Sequence, residues 1–238
     1  MFQTDPFTLI VLLVGLSLLP FVAMIATSYL KIVVVMSLIR NALGIQSIPP
    51  NMVINALAMI LSFYIMAPVA SESWAIAQKE LAARPAAVAP AAAAPGGAQT
   101  SPPKKAVTWF ETDALAHAAE PFRKFLSDHT STRDRAFFVN TAETLWGKDG
   151  KDAKVDPESF YILLPAFCVS ELTKSFQIGF LVYLPFIAID IIVSNILLAM
   201  GMMMVSPVTI SLPFKLLLFV MVNGWTLLIQ GLVRGYML

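Results

Sequence analysis

Apolar residues in this chain fall into two long blocks around a polar middle, and the block lengths set the first structural expectation. Residues 7–39 are apolar apart from scattered small polar groups and Lys31. As one helix, at about 1.5 Å per residue, this run would reach about 50 Å, well past a hydrocarbon core of ~30 Å. Pro20 is the expected kink or break. The helix is expected to stop in "RNALG", where Gly44 suits a left-handed C′ position and Arg40 complements the negative helix end. In "SIPPN", Ser47 suits an N-cap and the prolines suit a first helical turn. Residues 52–70 carry no charge. They complete a helical hairpin over residues 1–70.

The second block runs from Phe160 to about Val205, again too long for one span. Polar "SELTKSFQ" lies near its start and Asp190 near its middle. A last helix is predicted from about Leu212 to Val233, after the "SPVTISLP" turn. Pro68, Pro165, Pro185, Pro207 and Pro213 fall within or beside apolar helices, and each is expected to break the backbone ladder. Irregular backbone at membrane depth is tolerated only under protein or water. Over-long, broken hairpins therefore predict subunits packed against one another.

Between the blocks, "AARPAAVAPAAAAPGGAQTSPP" (residues 82–103) is a low-complexity Ala/Pro linker with no means of burying a core. Residues 107–146 regain amphipathic patterning and predict two or three short soluble helices, and "GKDGKDAKVDPES" is a polar loop. The resulting domains are an N-terminal hairpin (1–70), a soluble insert (71–158) and a C-terminal hairpin (159–238). The fold class is an all-α membrane protein with four predicted transmembrane segments.

Composition supports this class. The chain is 58% hydrophobic with strongly positive mean hydropathy. A net charge of +1 argues against nucleic-acid binding by phosphate neutralisation. Between Ser71 and Glu158 lie 11 Lys/Arg and 12 Asp/Glu, with both histidines. The remainder holds only Lys31, Arg40, Lys174, Lys215 and Arg234, with Asp5, Glu171 and Asp190. Both short hairpin loops lie near basic residues, so the positive-inside rule places them in the cytoplasm and the insert outside, with Arg234 a weak opposing vote. "MFQTDPF" lacks a basic n-region, and no cleaved signal peptide is expected.

Candidate chemistry is sparse. Cys168 is the only cysteine, which excludes an intrachain disulfide and a Cys-based zinc site; it reads as a small buried hydrophobe. His117 and His129 are expected to be solvated. No catalytic triad, metal-ligand set or phosphate loop is present, so no enzyme activity, cofactor or metal is expected. Asp190, costing about 2.5–3.5 kcal/mol at mid-span, must face protein or water; it serves a proton or ion relay, an intersubunit pair, or a structural pair. Glu171 and Lys174 are three apart on one helix face and can pair locally. With Gln177 they form either a seam between subunits or a plain interfacial helix end.

The stretches "SLIRNALGIQSIPPNMVINALAMILSFYIMAPV" and "LLPAFCVSELTKSFQIGFLVYLPFIAIDIIVSNILLAMGMMMVSPVTISLPFKLLLFVMVNGWTLL" resemble the two signature blocks of the SctR/FliP family. The resemblance covers roughly residues 8–70 and 158–230. The family supplies core export-apparatus proteins of type III secretion systems, in virulence injectisomes and flagella. The absence of an evident cleavable signal looks more like the injectisome branch.

The resemblance implies a helical ring of about five copies, completed by SctS-like and SctT-like subunits and working with an SctU-like switch protein and inner rod or needle components. Unfolded secreted proteins pass through its central channel. The implied location is the bacterial inner membrane, with the insert periplasmic and the assembled complex largely at the periplasmic side. It also implies that Met202, Met203 and Met204, with Met200, form a channel gasket, and that Gly201 and Pro207 bend the loop. Methionine suits this role because an unbranched thioether re-packs around varied partners, and an apolar constriction blocks ions by dewetting. Arg40, Asn41, Glu171, Lys174, Gln177 and Asp190 are the implied intersubunit polar contacts. The competing functions are a proton- or ion-coupled small-molecule carrier using Asp190, and a membrane scaffold without a conducting path.

Overall fold

The computed structural model describes residues 6–45, 48–83, 116–146 and 155–237. Ser47, most of the Ala/Pro linker and residues 147–154 of the polar loop lie outside them. The helices are α1 (Pro6–Ile25), α2 (Tyr29–Ala42), α3 (Asn51–Ala83), α4 (Glu120–His129), α5 (Thr132–Trp146), α6 (Phe160–Ala199), α7 (Pro207–Met221) and α8 (Gly224–Arg234). No strand occurs among the described residues. The chain forms two compact units, Met1–Met66 with Leu126–Leu238, and Ala67–Phe125.

The first unit is built around α2. Its apolar residues recur at Ile32, Val35, Met36 and Ile39, the spacing of one helix face, and all four are buried. They join Ile54 and Ala58 of α3, Phe186 of α6, Phe219 of α7, and Leu228 and Leu232 of α8 in one core. α2 and α6 pack tightly at Gly179, where a Cβ would lie 2.3 Å from Leu38 Cδ1 and 3.2 Å from Leu38 Cβ. The second unit contains the C-terminal part of α3, where His117 Nδ1 lies 3.1 Å from Glu80 Oε1.

Several sequence expectations hold and others need correction. Gly44 has a φ of +77°, as the C′ position demands. Pro20, however, sits within α1. The 57° bend falls instead between Ile25 and Tyr29. There Thr27 Oγ1 donates to Ala23 O (2.7 Å), Ser62 Oγ to Thr27 Oγ1 (3.2 Å) and Ser28 Oγ to Ser62 Oγ (3.1 Å). Hydroxyls that bond the preceding turn bend helices, and bonds across helices then hold the bend.

Pro68, Pro165, Pro185 and Pro213 also lie inside continuous helices and do not break them. Each removes one rung, but packing along a long helix outweighs one lost bond. The charge-free run at 52–70 does not end its helix; α3 continues to Ala83. The expected single helix at 212–233 is two helices, starting at Pro207 and bent by 59°. Asn223 makes the bend with φ 52° and ψ 47°, a left-handed conformation that Asn tolerates. Gly224 then admits the Phe219 ring, 2.3 Å from where a Cβ would stand. Among the described residues two helices are long and apolar enough to cross a membrane alone, and by length and composition each of two bent pairs passes as one broken span. The four expected segments are therefore two continuous helices and two bent pairs.

The tight seam at Gly179 predicts that Gly179→Val destabilises the fold by about 1–3 kcal/mol through overpacking. Gly179→Ala should cost less, because the nearest atom is the end of the Leu38 side chain. Thermal unfolding in detergent checks both; a Val variant melting with the parent chain would refute the seam.

Candidate functional site

The methionine loop begins where α6 stops. Met200 caps the helix, its N–H donating to Ile196 O. Gly201 adopts a φ of +74°; its N–H donates to Leu198 O (3.0 Å), and Met202 N–H to Leu197 O (2.9 Å). This is the paired bonding of a Schellman cap, which only a residue tolerant of positive φ supports without strain. Ser206 is extended, and Pro207 opens α7 at a position where its missing N–H costs no bond. Gly201 and Pro207 thus sit at the two ends of the loop. Between them Met203 is 83% exposed and Met204 101%, with Met200 and Met202 also exposed. Burying a methionine contributes about 1.5–3 kcal/mol, so the braced turn holds apolar side chains out where this chain alone leaves much of that gain unrealised.

A buried charge cluster lies elsewhere on α6. The Glu171 side chain is fully buried, with Oε2 2.9 Å from Lys31 Nζ, itself only 5% exposed. Glu171 Oε1 accepts from Lys174 Nζ at 3.1 Å, so the expected local pair forms. Lys174 also donates to His129 O at 2.7 Å. The Tyr236 hydroxyl donates to Glu171 Oε2, and its ring lies under Lys31 Nζ, 3.8 Å from the centroid. Burial first, and the Glu171 carboxylate second, push the Tyr236 hydroxyl well above its ordinary range, so it remains a donor. A buried carboxylate thus meets two ammonium groups and one phenol, which satisfies the desolvated charge.

Asp190 is also paired within the chain. Its Oδ2 lies 2.7 Å from Lys215 Nζ, and Ser211 Oγ donates to its Oδ1 at 2.5 Å. Lys215 additionally reaches Ala42 O, at the C-terminal end of α2, where a cation complements the helix dipole. Arg40 donates to Asn51 Oδ1 and, at 3.4 Å, to Pro49 O, clipping the turn between α2 and α3. Asn41 and Gln177 are exposed.

The sequence expectations fare unevenly here too. His117 is exposed as expected, but His129 is half-buried against the Tyr236 ring, 5.1 Å between centroids. Cys168 is half-buried, its Sγ 3.9 Å from Ile25 O. Sequence reasoning missed Lys31, Lys215 and Tyr236 as the partners of the two membrane carboxylates. A charge tally over the apolar blocks was the available signal, since two acids and three lysines there must find one another. It also missed Ser170, which donates to Asp134 Oδ2 at 2.6 Å and accepts from Ser131 N–H at 3.0 Å, tying the start of α5 to α6. Among the described residues no group of three His, Cys, Asp or Glu is placed to hold a metal ion.

The FliP family profile matches residues 12–232. The chain is 49% identical over 232 residues to "Yop proteins translocation protein R" of Yersinia pestis, covering 98% of this chain and 97% of that protein. It is 45% identical over 229 residues to "Hypersensitivity response secretion protein HrcR" of Ralstonia nicotianae, covering 96% of each. It is 44% identical over 235 residues to "Virulence protein YscR" of Salmonella typhimurium, covering 98% and 97%.

Removing one partner from the buried cluster strands the others. Glu171→Ala should destabilise the chain by about 3–5 kcal/mol. The double variant Lys31→Met with Glu171→Met should recover much of that loss, since an apolar pair of similar volume needs no compensation. Detergent thermal unfolding of the four-member cycle checks this, and additive losses would contradict the cluster.

Proposed function

We propose that this chain, which belongs to the FliP family, is a pore-forming core subunit of a type III protein export gate. Its relatives carry names of translocation, secretion and virulence, which supports a role in protein secretion. The observation that carries the pore reading is the trio Met202, Met203 and Met204, held out of the chain's own core on a turn braced at Gly201 and Pro207. Repeated around a ring of about five copies, such loops meet at the axis. Flexible thioethers close on one another when idle and re-pack around a passing unfolded chain. The apolar constriction excludes hydrated ions.

Apolar exposure on α1, α3, α6 and α7 fits burial against neighbouring copies and SctS-like and SctT-like subunits. An SctU-like switch protein and the rod or needle components complete the partner set. The location is the bacterial inner membrane, with the insert 71–158 on the periplasmic side. Glu171, Asp190 and Arg40 are already engaged within the chain, so of the polar set Asn41, Gln177 and the exposed part of Lys174 are assigned to contacts with neighbouring copies. No catalytic step is involved. A carrier that cycles a proton on Asp190 is less well supported, because Lys215 and Ser211 each engage one oxygen of that carboxylate in a structural pair within the chain.

Replacing Met202, Met203 and Met204 together by glycine should leave assembly intact and make membranes carrying the complex leak small ions, read as conductance or as growth sensitivity to salt. Unchanged impermeability would remove the gasket. Asp190→Asn should lower the yield of assembled complex, whereas loss of transport with full assembly would favour the carrier.

A further inference from the structure

An apolar groove of about 490 Å³ opens between α6 and the α7–α8 pair, distinct from the methionine loop and both carboxylates. On α6 it is lined by Ile178, Val182 and Pro185, and on α8 by Leu227 and Gly231. Both sets follow a helical stripe, and each stripe runs into a cation. One turn before Ile178 on α6 stands Lys174; three residues beyond Gly231 on α8 stands Arg234. The two helices run antiparallel: at one end Phe186 of α6 lies near Phe219, whose ring sits against Gly224 at the start of α8, and at the other Tyr236 is bonded to Glu171. Lys174 and Arg234 therefore mark the same end of the groove.

That end presents cations to solvent. Lys31 and Lys174 pair with the buried carboxylate of Glu171, the Tyr236 hydroxyl is neutral, and the Lys174 side chain remains 39% exposed. Asp134 of α5 is bonded to Ser170, and exposed Asp128 adjoins His129, whose carbonyl accepts from Lys174. Arg234 is exposed and has no ion pair among the described residues. The occupant must then be apolar along most of its length and anionic at one end.

We infer that this groove is a binding site for an anionic phospholipid, with an acyl chain along Ile178, Val182 and Leu227 and the phosphate at Arg234 and the exposed part of Lys174. Gly231 leaves the trough open, since nothing stands within 4 Å of where its Cβ would be. The inference is independent of the gate reading. A lipid held here sits at the charge cluster that pins the C-terminal residues to α6.

Native mass spectrometry of the full chain in detergent tests it, with phosphatidylglycerol and phosphatidylethanolamine of identical acyl chains as probes. The parent chain should retain phosphatidylglycerol preferentially. Arg234→Gln, at an exposed position, should reduce that preference about fivefold, the usual contribution of one basic group at an anionic surface. Gly231→Trp should abolish retention of both lipids while α-helical circular dichroism persists. Equal retention of the two lipids, or a preference unchanged in Arg234→Gln, would overturn the site. So would a Gly231→Cys chain that cross-links through residue 231 to a second copy without displacing lipid, which would assign the groove to that copy.

Discussion

Glu171 is a fully buried carboxylate in a chain that leaves most of its apolar surface uncovered, and the placement of α2 depends on it. Taking that charge from water is costly unless every lone pair is engaged. Lys31 from α2, Lys174 from the next turn of α6 and Tyr236 from beyond α8 supply that engagement. Two segments far apart in the chain, α2 and the residues after α8, thereby converge on one point of α6. Hydrophobic contact is non-directional and would allow α2 to slide along α6. The ion pair sets the register, and Gly179 lets the two helices close on Leu38. At the other end of the same helix pair, Lys215 repeats the device by bridging Asp190 to the last carbonyl of α2.

With α2 fixed, the remaining faces are left apolar and outward. Met203, Met204, Phe176, Phe180 and Ile192 are all exposed, a pattern foreign to a soluble monomer. The two carboxylates of the apolar blocks, Glu171 and Asp190, are engaged inside the chain, and large apolar side chains are presented outside. That division suits a subunit whose folding is settled by its own charges and whose assembly draws on apolar area. The methionine loop follows the same logic locally, since a rigid cap at Gly201 carries the most adaptable side chains available.

Much of this was legible in advance where one residue dictates its own geometry. Gly44 announces a left-handed helix end, and Glu171 with Lys174 announces an i,i+3 pair. The paired apolar blocks and two amphipathic insert helices were likewise readable from periodicity. The failures share a cause. Pro20, Pro165 and Pro185 were expected to break helices by a local rule that tertiary packing overrides. The bends fall instead at Thr27–Ser28 and Asn223, where hydroxyl bonding and a tolerated left-handed residue make turning cheap. Partners such as Lys31 for Glu171 lie far apart in the chain, and spacing alone does not reveal a contact of that range.

Central to the account is the proposal that this chain works as one subunit of a ring. The direct measurement is the native mass of the detergent-extracted protein expressed with its SctS-like and SctT-like neighbours. A complex of about five copies carrying the smaller subunits is the predicted result, with the methionine loops shared at one axis. A stable monomer or dimer free of both partners would contradict it and return the methionines to ordinary packing.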